Sequence, residues 1–289
     1  MTTQVFQRIG ELQRRYHQAA IGKEALLKLL SESEVVEQVY NSNAIENSTL
    51  SLEETDKILQ QINLDRFVSE RELFEAKNLA RVVEYTNQKA TEIEPSLDII
   101  LLLHKMLISN IRDDVAGRFR LEDEWVRVGS HIAADPKDIL KLIQDMLITY
   151  RTSSQDHIIK RIAKLHLTFE HIHPFVDGNG RIGRVLNNYL LIREGHVPIN
   201  IKFLDRSLYY DAFKAFDTNK EDTNIMEQII GKALSNSYHK RLAYLEGKNI
   251  ISLSDYAKKE KISHSNLLNK ANRQTIEAFW ERGVWKIGV

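Results

Sequence analysis

Helical spacing of apolar residues, with few helix breakers, is the feature that most limits how this chain can fold. Only 4 prolines and 12 glycines occur among 289 residues, so little interrupts long helices. Over most of residues 1–246 the apolar residues recur three and four positions apart, which is typical of amphipathic helices. We therefore predict an all-α fold whose helices pack around a common core.

The apolar faces and the capping residues predict where the helices lie. Ser51 and Glu54 form a capping box that opens one helix, and Ser96, after a proline, caps another. Asn47 is expected to end its helix in the left-handed conformation. The expected helices cover residues 2–30, 34–47, 51–62, 68–90, 96–107, 137–150, 156–171 and 181–194, with two more in 205–246.

Two segments depart from the helical pattern. Residues 116–131 alternate polar and apolar side chains in two short runs, which predicts a small β-hairpin. After a boundary near residues 247–249 the composition becomes richer in Lys and Arg, and Ser252 and Ser263 can cap two short helices. Residues 280–287 predict two strands around a glycine turn. We interpret residues 250–289 as a small module resembling a winged helix-turn-helix.

Composition excludes several classes of protein. Lys and Arg total 40 and so do Asp and Glu, so no overall charge draws the chain to nucleic acid or to an anionic membrane. The absence of cysteine rules out disulfides, thiolate metal sites and cysteine nucleophiles. The first twenty residues lack the apolar core of a signal peptide, and the run 99–103 is too short to span a bilayer. We expect a cytoplasmic protein without a membrane partner.

The segment 173–184, HPFVDGNGRIGR, carries the strongest chemical signal. Gly178 and Gly180 allow a sharp turn, and the helix expected to follow directs free backbone N–H groups at an anion. Arg181 and Arg184 lie on neighbouring turns of that helix, where both can donate to phosphate oxygens. These residues predict a site for a polyphosphate.

Two further side chains of the segment add chemistry to this cradle. One carboxylate together with phosphate oxygens commonly holds Mg2+, and Asp177 can supply it. His173 can take a proton from an incoming hydroxyl near neutral pH. The residue types therefore suggest a polyphosphate, a divalent cation and a histidine base.

The same segment matches the signature HxFx(D/E)GNGRxxR at every fixed position, and so resembles the Fic family. The resemblance implies a helical bundle that binds ATP with Mg2+ and transfers AMP to a Ser, Thr or Tyr hydroxyl of a target protein. It implies that His173 is the general base, that Asp177 holds Mg2+ and that Phe175 anchors the loop. It assigns nucleotide contacts to Asp177, Gly178, Asn179, Gly180, Arg181, Ile182, Gly183 and Arg184.

The resemblance also assigns roles outside the signature. Residues 116–131 correspond to the family's flap, which in related enzymes pairs with an extended segment of the target. Arg206, Tyr209 and Tyr210 resemble the helix that flanks the adenine. Where the family commonly has Asn this chain has Asp217, so that contact is in doubt, and Asn219 is the alternative. The flap residues expected to touch the nucleotide are Val128, Gly129, Ser130 and His131.

A second motif lies upstream, where SNAIEN at 42–47 matches (S/T)xxxE(G/N) of the same family. Ser42 and Glu46 are four residues apart and share one helix face. The resemblance implies that Glu46, followed by Asn47, pairs with Arg184 in the place of the γ-phosphate and so inhibits transfer from within the chain. Some family members with this motif also remove AMP, and the sequence does not separate the two directions.

Several alternatives remain open at this stage. The chain could be a DNA-binding transcriptional regulator that uses a Fic domain as a nucleotide sensor, or a Fic transferase with another donor such as UTP, GTP or CDP-choline. A metal hydrolase built on His166, His171 and His173 is disfavoured, because too few carboxylates stand at ligand spacing. We expect three parts, 1–95, 96–246 and 250–289, and a homodimer is a further expectation.

Overall fold

The computed structural model describes residues 3–128, 131–219 and 221–289, so two predicted contact residues, Gly129 and Ser130, lie outside the described residues. The fold is all-α, as the sequence predicts. The α-helices are α1 (Thr3–Ala20), α2 (Glu24–Ile45), α3 (Leu52–Leu59), α4 (Glu70–Lys89), α5 (Leu97–Ile108), α6 (Ile139–Thr152), α7 (Ile158–Ile172), α8 (Asn179–Arg193), α9 (Arg206–Thr218), α10 (Asn224–Leu245), α11 (Leu253–Glu260) and α12 (His264–Asn272).

The first two helices divide at a different place from the one predicted. A break was expected between residues 30 and 34, but α2 runs without interruption through that segment. The chain turns instead at Gly22, whose φ of +71° lies in the left-handed region that glycine adopts readily. Residues 31–33 are polar but contain no glycine or proline, so nothing there ends a helix. Asn47 has a φ of +71°, as predicted.

The hairpin is shorter than predicted and lies at the end of the expected segment. Its strands are β1 (Arg127–Val128) and β2 (His131–Ile132), which pair antiparallel. The expected first strand at 118–120 is wrong, because Arg120 has its side chain buried and donates to the carbonyl oxygens of His173, Glu124 and Ala134. A buried guanidinium that satisfies carbonyl groups holds this segment as an ordered loop.

The core lies around α7 and α8. Helix α8 packs against α2, α4, α5 and α7, while α10 packs against α1, α7, α9 and the C-terminal sheet. Fully buried apolar side chains from five different helices meet there, including Leu79, Leu103, Ile162, Ile182 and Leu234. No helix in the described residues is long and apolar enough to cross a membrane.

The C-terminal residues form a three-stranded antiparallel sheet with two helices. Its strands are β3 (Ile250–Ser252), β4 (Ala278–Glu281) and β5 (Val284–Gly288), in the order β3-β5-β4. Both predicted caps are present, since the hydroxyls of Ser252 and Ser263 accept from the backbone of Asp255 and Asn266. The three-residue strand β3 was missed because so short a run carries no clear periodicity. The winged-helix interpretation stays a prediction.

Candidate active site

A tight loop at residues 173–178 joins the two central helices α7 and α8. His173 ends α7 in the left-handed conformation with a φ of +50°, and Gly178 precedes α8 with a φ of +85°. A side chain at Gly178 would lie 3.0 Å from Ile108 Cδ1, so both the conformation and the space require glycine. The loop therefore directs the N-terminus of α8 towards a fixed point.

Asn179 and Phe175 fix the shape of this loop. The Asn179 side chain accepts from the Phe175 N–H at 2.9 Å and donates to its carbonyl at 2.8 Å. The ring of Phe175 is fully buried and stacks on His104 at 3.7 Å between centroids. The Asn179 side chain therefore holds the backbone of the loop at Phe175.

His104 connects the loop to Gly117, at the start of the predicted flap segment, a role that sequence reasoning missed. Its Nδ1 accepts from the Gly117 N–H at 3.0 Å, so its Nε2–H donates to the Asp177 carbonyl at 3.0 Å. Burial lowers the pKa of His104 to about 4, which keeps the ring neutral and fixes this tautomer.

His173 is arranged as a neutral base. Its Nδ1 lies 3.3 Å from the Glu170 carbonyl oxygen, which only accepts, so Nδ1 carries the proton and Nε2 keeps its lone pair. Burial lowers the pKa of His173 to about 4, so the imidazole is uncharged at neutral pH. The ring lines a cavity at this end of α7, and a hydroxyl that enters the cavity can reach it.

Asp177 and Arg181 form an ionic pair that also involves α4. Asp177 accepts from Arg71 at 2.6 Å and from Arg181 at 3.1 Å, and Arg181 Nη1 lies 3.1 Å from Glu75 Oε1. Burial opposes ionisation of Asp177, but the two guanidinium groups together hold its pKa below the ordinary value. Arg71 and Glu75 come from a helix that carries no motif, so no sequence pattern predicted their place in the site.

These residues fit a divalent cation and a phosphate. The Asp177 carboxylate is ionised and its Arg71 partner is 54% exposed, so that guanidinium can move aside in favour of a metal. Within the described residues, Nε of the buried Arg181 has no hydrogen-bond acceptor, and its Nη1 pairs with Glu75 Oε1 at 3.1 Å without hydrogen-bond geometry. Buried donors without an acceptor are the groups that phosphate oxygens satisfy.

Arg184 is buried and held by the C-terminal end of α2. Its guanidinium donates to Ser42 Oγ at 2.9 Å, to the Ser42 carbonyl at 2.8 Å and to Glu46 Oε1 at 2.9 Å. On the other side it donates to the Tyr209 hydroxyl at 3.1 Å. The two residues that the family resemblance predicted to pair are therefore in contact, although they are 138 positions apart.

The Glu46 carboxylate also lies against the first turn of α8. A side chain on Gly180 would come within 2.2 Å of Glu46 Oε1, so the absence of a side chain there makes the approach possible. The first turn of a helix, with free N–H groups and the positive end of the helix dipole, favours an anion. The carboxylate therefore occupies an anion site formed by α8 and Arg184.

Helix α9 holds the end of α2 and the residues that follow it in place. Arg206 donates to the Asn47 side chain at 2.6 Å, and the Tyr210 hydroxyl donates to the Ile45 carbonyl at 3.3 Å. These contacts involve two residues that were predicted to flank an adenine. In this structure they bind the end of α2.

A cavity of about 410 Å³ opens beside His173. Asp217, and not Asn219, is among the residues around it, so the residue in doubt is the one that faces the cavity. The predicted site residues that line it are Glu46, Val128, His131, His173, Gly180, Tyr209 and Tyr210.

Three predicted contact residues have other neighbours. The Ile182 side chain is fully buried in the core, and Gly183 faces α7, where a side chain would lie 2.5 Å from Glu170 Oε1. The Tyr209 hydroxyl lies between Arg184 and His166. The geometry therefore favours a supporting role for these residues. The expectation that His166 is structural agrees with its complete burial.

Glu170 is a site residue that sequence reasoning missed. Its carboxyl group is buried beside Glu46, and one oxygen has no partner within the described residues. Burial and the nearby Glu46 charge raise the pKa of Glu170 to about 8, although Arg184 opposes them. The sequence shows only a glutamate near the end of an amphipathic helix, which is an ordinary surface pattern.

Comparison with known proteins agrees with this geometry. Residues 94–191 match the model of the Fic/DOC family. The protein adenylyltransferase Fic of Drosophila grimshawi is 31% identical over 193 residues, which cover 66% of this chain and 40% of that protein. The Drosophila melanogaster relative of the same name is 34% identical over 181 residues, covering 62% and 36%. The chain thus spans less than half the length of these relatives.

Solved structures show the same fold. A Fic domain containing signaling protein from Bacteroides thetaiotaomicron superposes with a TM-score of 0.75 at 22% identity, covering 83% of this chain and 97% of that one. A Fic family protein from Desulfovibrio desulfuricans superposes with a TM-score of 0.67 at 19% identity, covering 100% and 97%. The second match includes the C-terminal residues, so the whole chain has a counterpart of known fold.

Proposed function

We propose, from the premise that residues 94–191 belong to the Fic/DOC family, that this chain is a protein adenylyltransferase. It transfers AMP from ATP to a Ser, Thr or Tyr hydroxyl of a target protein. The observation that carries this proposal is the pairing of a neutral His173, with a free Nε2, and an anion site at the N-terminus of α8. The names of the adenylyltransferase relatives support the same reaction.

The residues of the site have separate roles in the proposed transfer. Nε2 of His173 takes the proton of the target hydroxyl, the oxygen attacks the α-phosphorus and pyrophosphate leaves. Arg181 and Arg184 stabilise the charge of the phosphates with donors that are already buried and oriented. Asp177 would hold Mg2+, which when bound supplies further charge neutralisation along the triphosphate.

Glu46 is proposed to inhibit this reaction by occupying the anion site. Its carboxylate is bound to Arg184 and lies against Gly180, so a phosphate group cannot take the same position. ATP can still bind with its α-phosphorus displaced, and a displacement of about 1 Å can reduce the rate roughly a hundredfold. Removal of AMP by the same residue remains a hypothesis that rests on the resemblance alone.

The flap is the proposed docking place for the target protein. Leu121, Trp125 and Ile132 are each more than half exposed in and beside the β1–β2 hairpin. Exposed apolar side chains beside short strands suit the binding of an extended segment. A homodimer remains an expectation.

The test measures transfer of labelled AMP from ATP with Mg2+ onto the chain itself and onto added protein. We expect Glu46→Gly to raise incorporation about ten- to a hundredfold over the native chain, and His173→Ala, added to it, to abolish the gain. Glu32→Gly, an exposed glutamate of the same helix, is the matched control and should leave incorporation at the native level. Equal incorporation by native and Glu46→Gly protein contradicts the inhibition. Transfer that survives His173→Ala contradicts the mechanism.

A second candidate function is DNA binding by residues 250–289. Helix α12 exposes the polar side chains of His264, Asn266, Asn269 and Lys270, which suit contacts with a phosphate backbone. A mobility shift of duplex DNA that weakens with added salt would support this function. No shift of the native chain even at low salt would remove it.

A further inference from the structure

Two histidines and an aspartate meet at the edge of the cavity, on three separate elements. His131 is on β2 of the flap, His171 is in the last turn of α7 and Asp217 is near the end of α9. One potential ligand atom from each residue lies within 4.8 Å of the other two. In a tetrahedral zinc site with bonds of about 2.1 Å, ligand atoms lie about 3.4 Å apart. Closure therefore needs shifts of about 1.5 Å or less, which side-chain rotation provides.

The hydrogen bonds of the two histidines indicate which nitrogen of each ring can bind an ion. His131 Nε2 lies 2.9 Å from the His171 carbonyl oxygen, so Nε2 donates and Nδ1 keeps a lone pair. His171 Nδ1 lies 2.8 Å from Asp217 Oδ1, so an ion that binds both atoms takes the place of the proton between them, and Nε2 then carries the ring proton. A metal-binding histidine commonly donates its second N–H to a carbonyl, as His131 does here.

The ligand chemistry separates this group from the predicted magnesium ligand. Imidazole nitrogens favour Zn2+ and neighbouring transition metals, whereas Mg2+ requires oxygen ligands. His171 and Asp217 are exposed and all three residues line the cavity, so an ion can enter from solvent. Asp177 does not line this cavity and instead pairs with Arg71 and Arg181.

We propose that His131, His171 and Asp217 form a binding site for a divalent transition-metal ion such as Zn2+. The bound ion connects β2 of the flap to α7 and α9 across the mouth of the cavity. Because the flap residue His131 is one of the ligands, the metal holds the flap in position beside His173. The site is defined by its own residues and does not depend on the proposed transfer reaction.

Cobalt binding tests the proposal directly. Co2+ is titrated into the native chain without nucleotide, and its visible absorption bands report nitrogen ligands and coordination geometry. We expect one saturable ion per chain, displaced by Zn2+ but not by millimolar Mg2+. His171→Ala and Asp217→Asn should each weaken Co2+ binding at least tenfold, while far-ultraviolet circular dichroism confirms that both variants keep their helices.

Two control variants make the outcome specific to this site. His264→Ala removes an exposed histidine of α12, and Asp177→Asn removes the predicted magnesium ligand; both should bind Co2+ as the native chain does. No saturable Co2+ binding by the native chain would overturn the proposal. Native affinity in His171→Ala and Asp217→Asn, or loss of binding in Asp177→Asn, would overturn it as well. None of these readings requires AMP transfer, so failure of the proposed function would not be mistaken for failure of this one.

Discussion

The middle and the end of helix α2 are both held by ion pairs, but in very different surroundings. In the middle, Glu34 and Glu37 are buried and contact α10 and the C-terminal sheet. At the end, Glu46 contacts Arg184 with a third of its side chain exposed. One helix is thus anchored by a buried ionic network at one place and held by a partly exposed ion pair at another.

The middle of α2 belongs to a buried network. Arg241 binds both oxygens of Glu34, at 3.0 and 2.5 Å, and its side chain is only 2% exposed. Lys240 lies 3.4 Å from Glu34 and 2.8 Å from Glu281 of β4. Removal of one partner leaves an unpaired buried charge, which is why such networks resist change.

The end of α2 has a single carboxylate contact within ion-pair distance. Glu46 approaches only Arg184 among the cations of the described residues, and water reaches its other side. Partly exposed ion pairs contribute little to folding, because solvent screens them. The contact of Glu46 with Arg184 is therefore expected to add little to the stability of the fold.

The largest expected effect comes from the buried network. Arg241→Met should lower the free energy of unfolding by about 3–5 kcal/mol, because Glu34 then stays buried without its guanidinium partner. Urea unfolding followed by circular dichroism measures the change. Arg81→Met, an exposed arginine of α4, is the matched control and should remain within about 0.5 kcal/mol of the native chain. Equal losses of unfolding free energy in Arg241→Met and Arg81→Met would contradict the importance of the buried network for stability.

An intermediate effect on stability is expected from Glu170, which lies beside Glu46. The pKa of Glu170 is about 8 in the folded chain, above the ordinary 4.5. Between these two pH values the folded chain therefore binds one proton more than the unfolded chain. Stability from this group is present below about pH 4.5 and is lost progressively as pH rises through about 8.

The variant Glu170→Gln keeps the shape of the protonated acid and should remove this loss. The difference in unfolding free energy between native and variant chains, measured from pH 5 to pH 8.5, isolates the group. Glu46 and Arg184 are the charged groups that act on Glu170, and His166 and His173 pack nearby. A difference that does not vary with pH would show that Glu170 is already ionised in the fold.

The smallest expected effect on stability comes from Glu46 itself. Glu46→Gln should change the free energy of unfolding by about 1 kcal/mol or less, since the amide oxygen can still accept from Arg184 and the site is partly exposed. The same urea experiment measures it. A loss as large as that of Arg241→Met would show that the contact of Glu46 is as important for folding as the buried network around Glu34.

Local sequence predicted much of the fold and the motif residues. Apolar periodicity and capping residues such as Ser51 and Ser96 predicted most helices, because these signals act over a few positions. The break at Gly22 and the buried Arg120 were misjudged. A local sequence pattern does not show whether Arg120 faces the core or whether Gly22 adopts a positive φ.

Residue types at fixed spacing predicted the loop after α7 and the fold class, and the family resemblance predicted the pairing of Glu46 with Arg184. The folded chain was needed to show which distant groups lie at the site, among them Arg71, His104, Glu170 and the group of His131, His171 and Asp217. Their positions depend on the packing of helices far apart in the chain, and packing sets the burial that shifts each pKa. No local pattern records that burial.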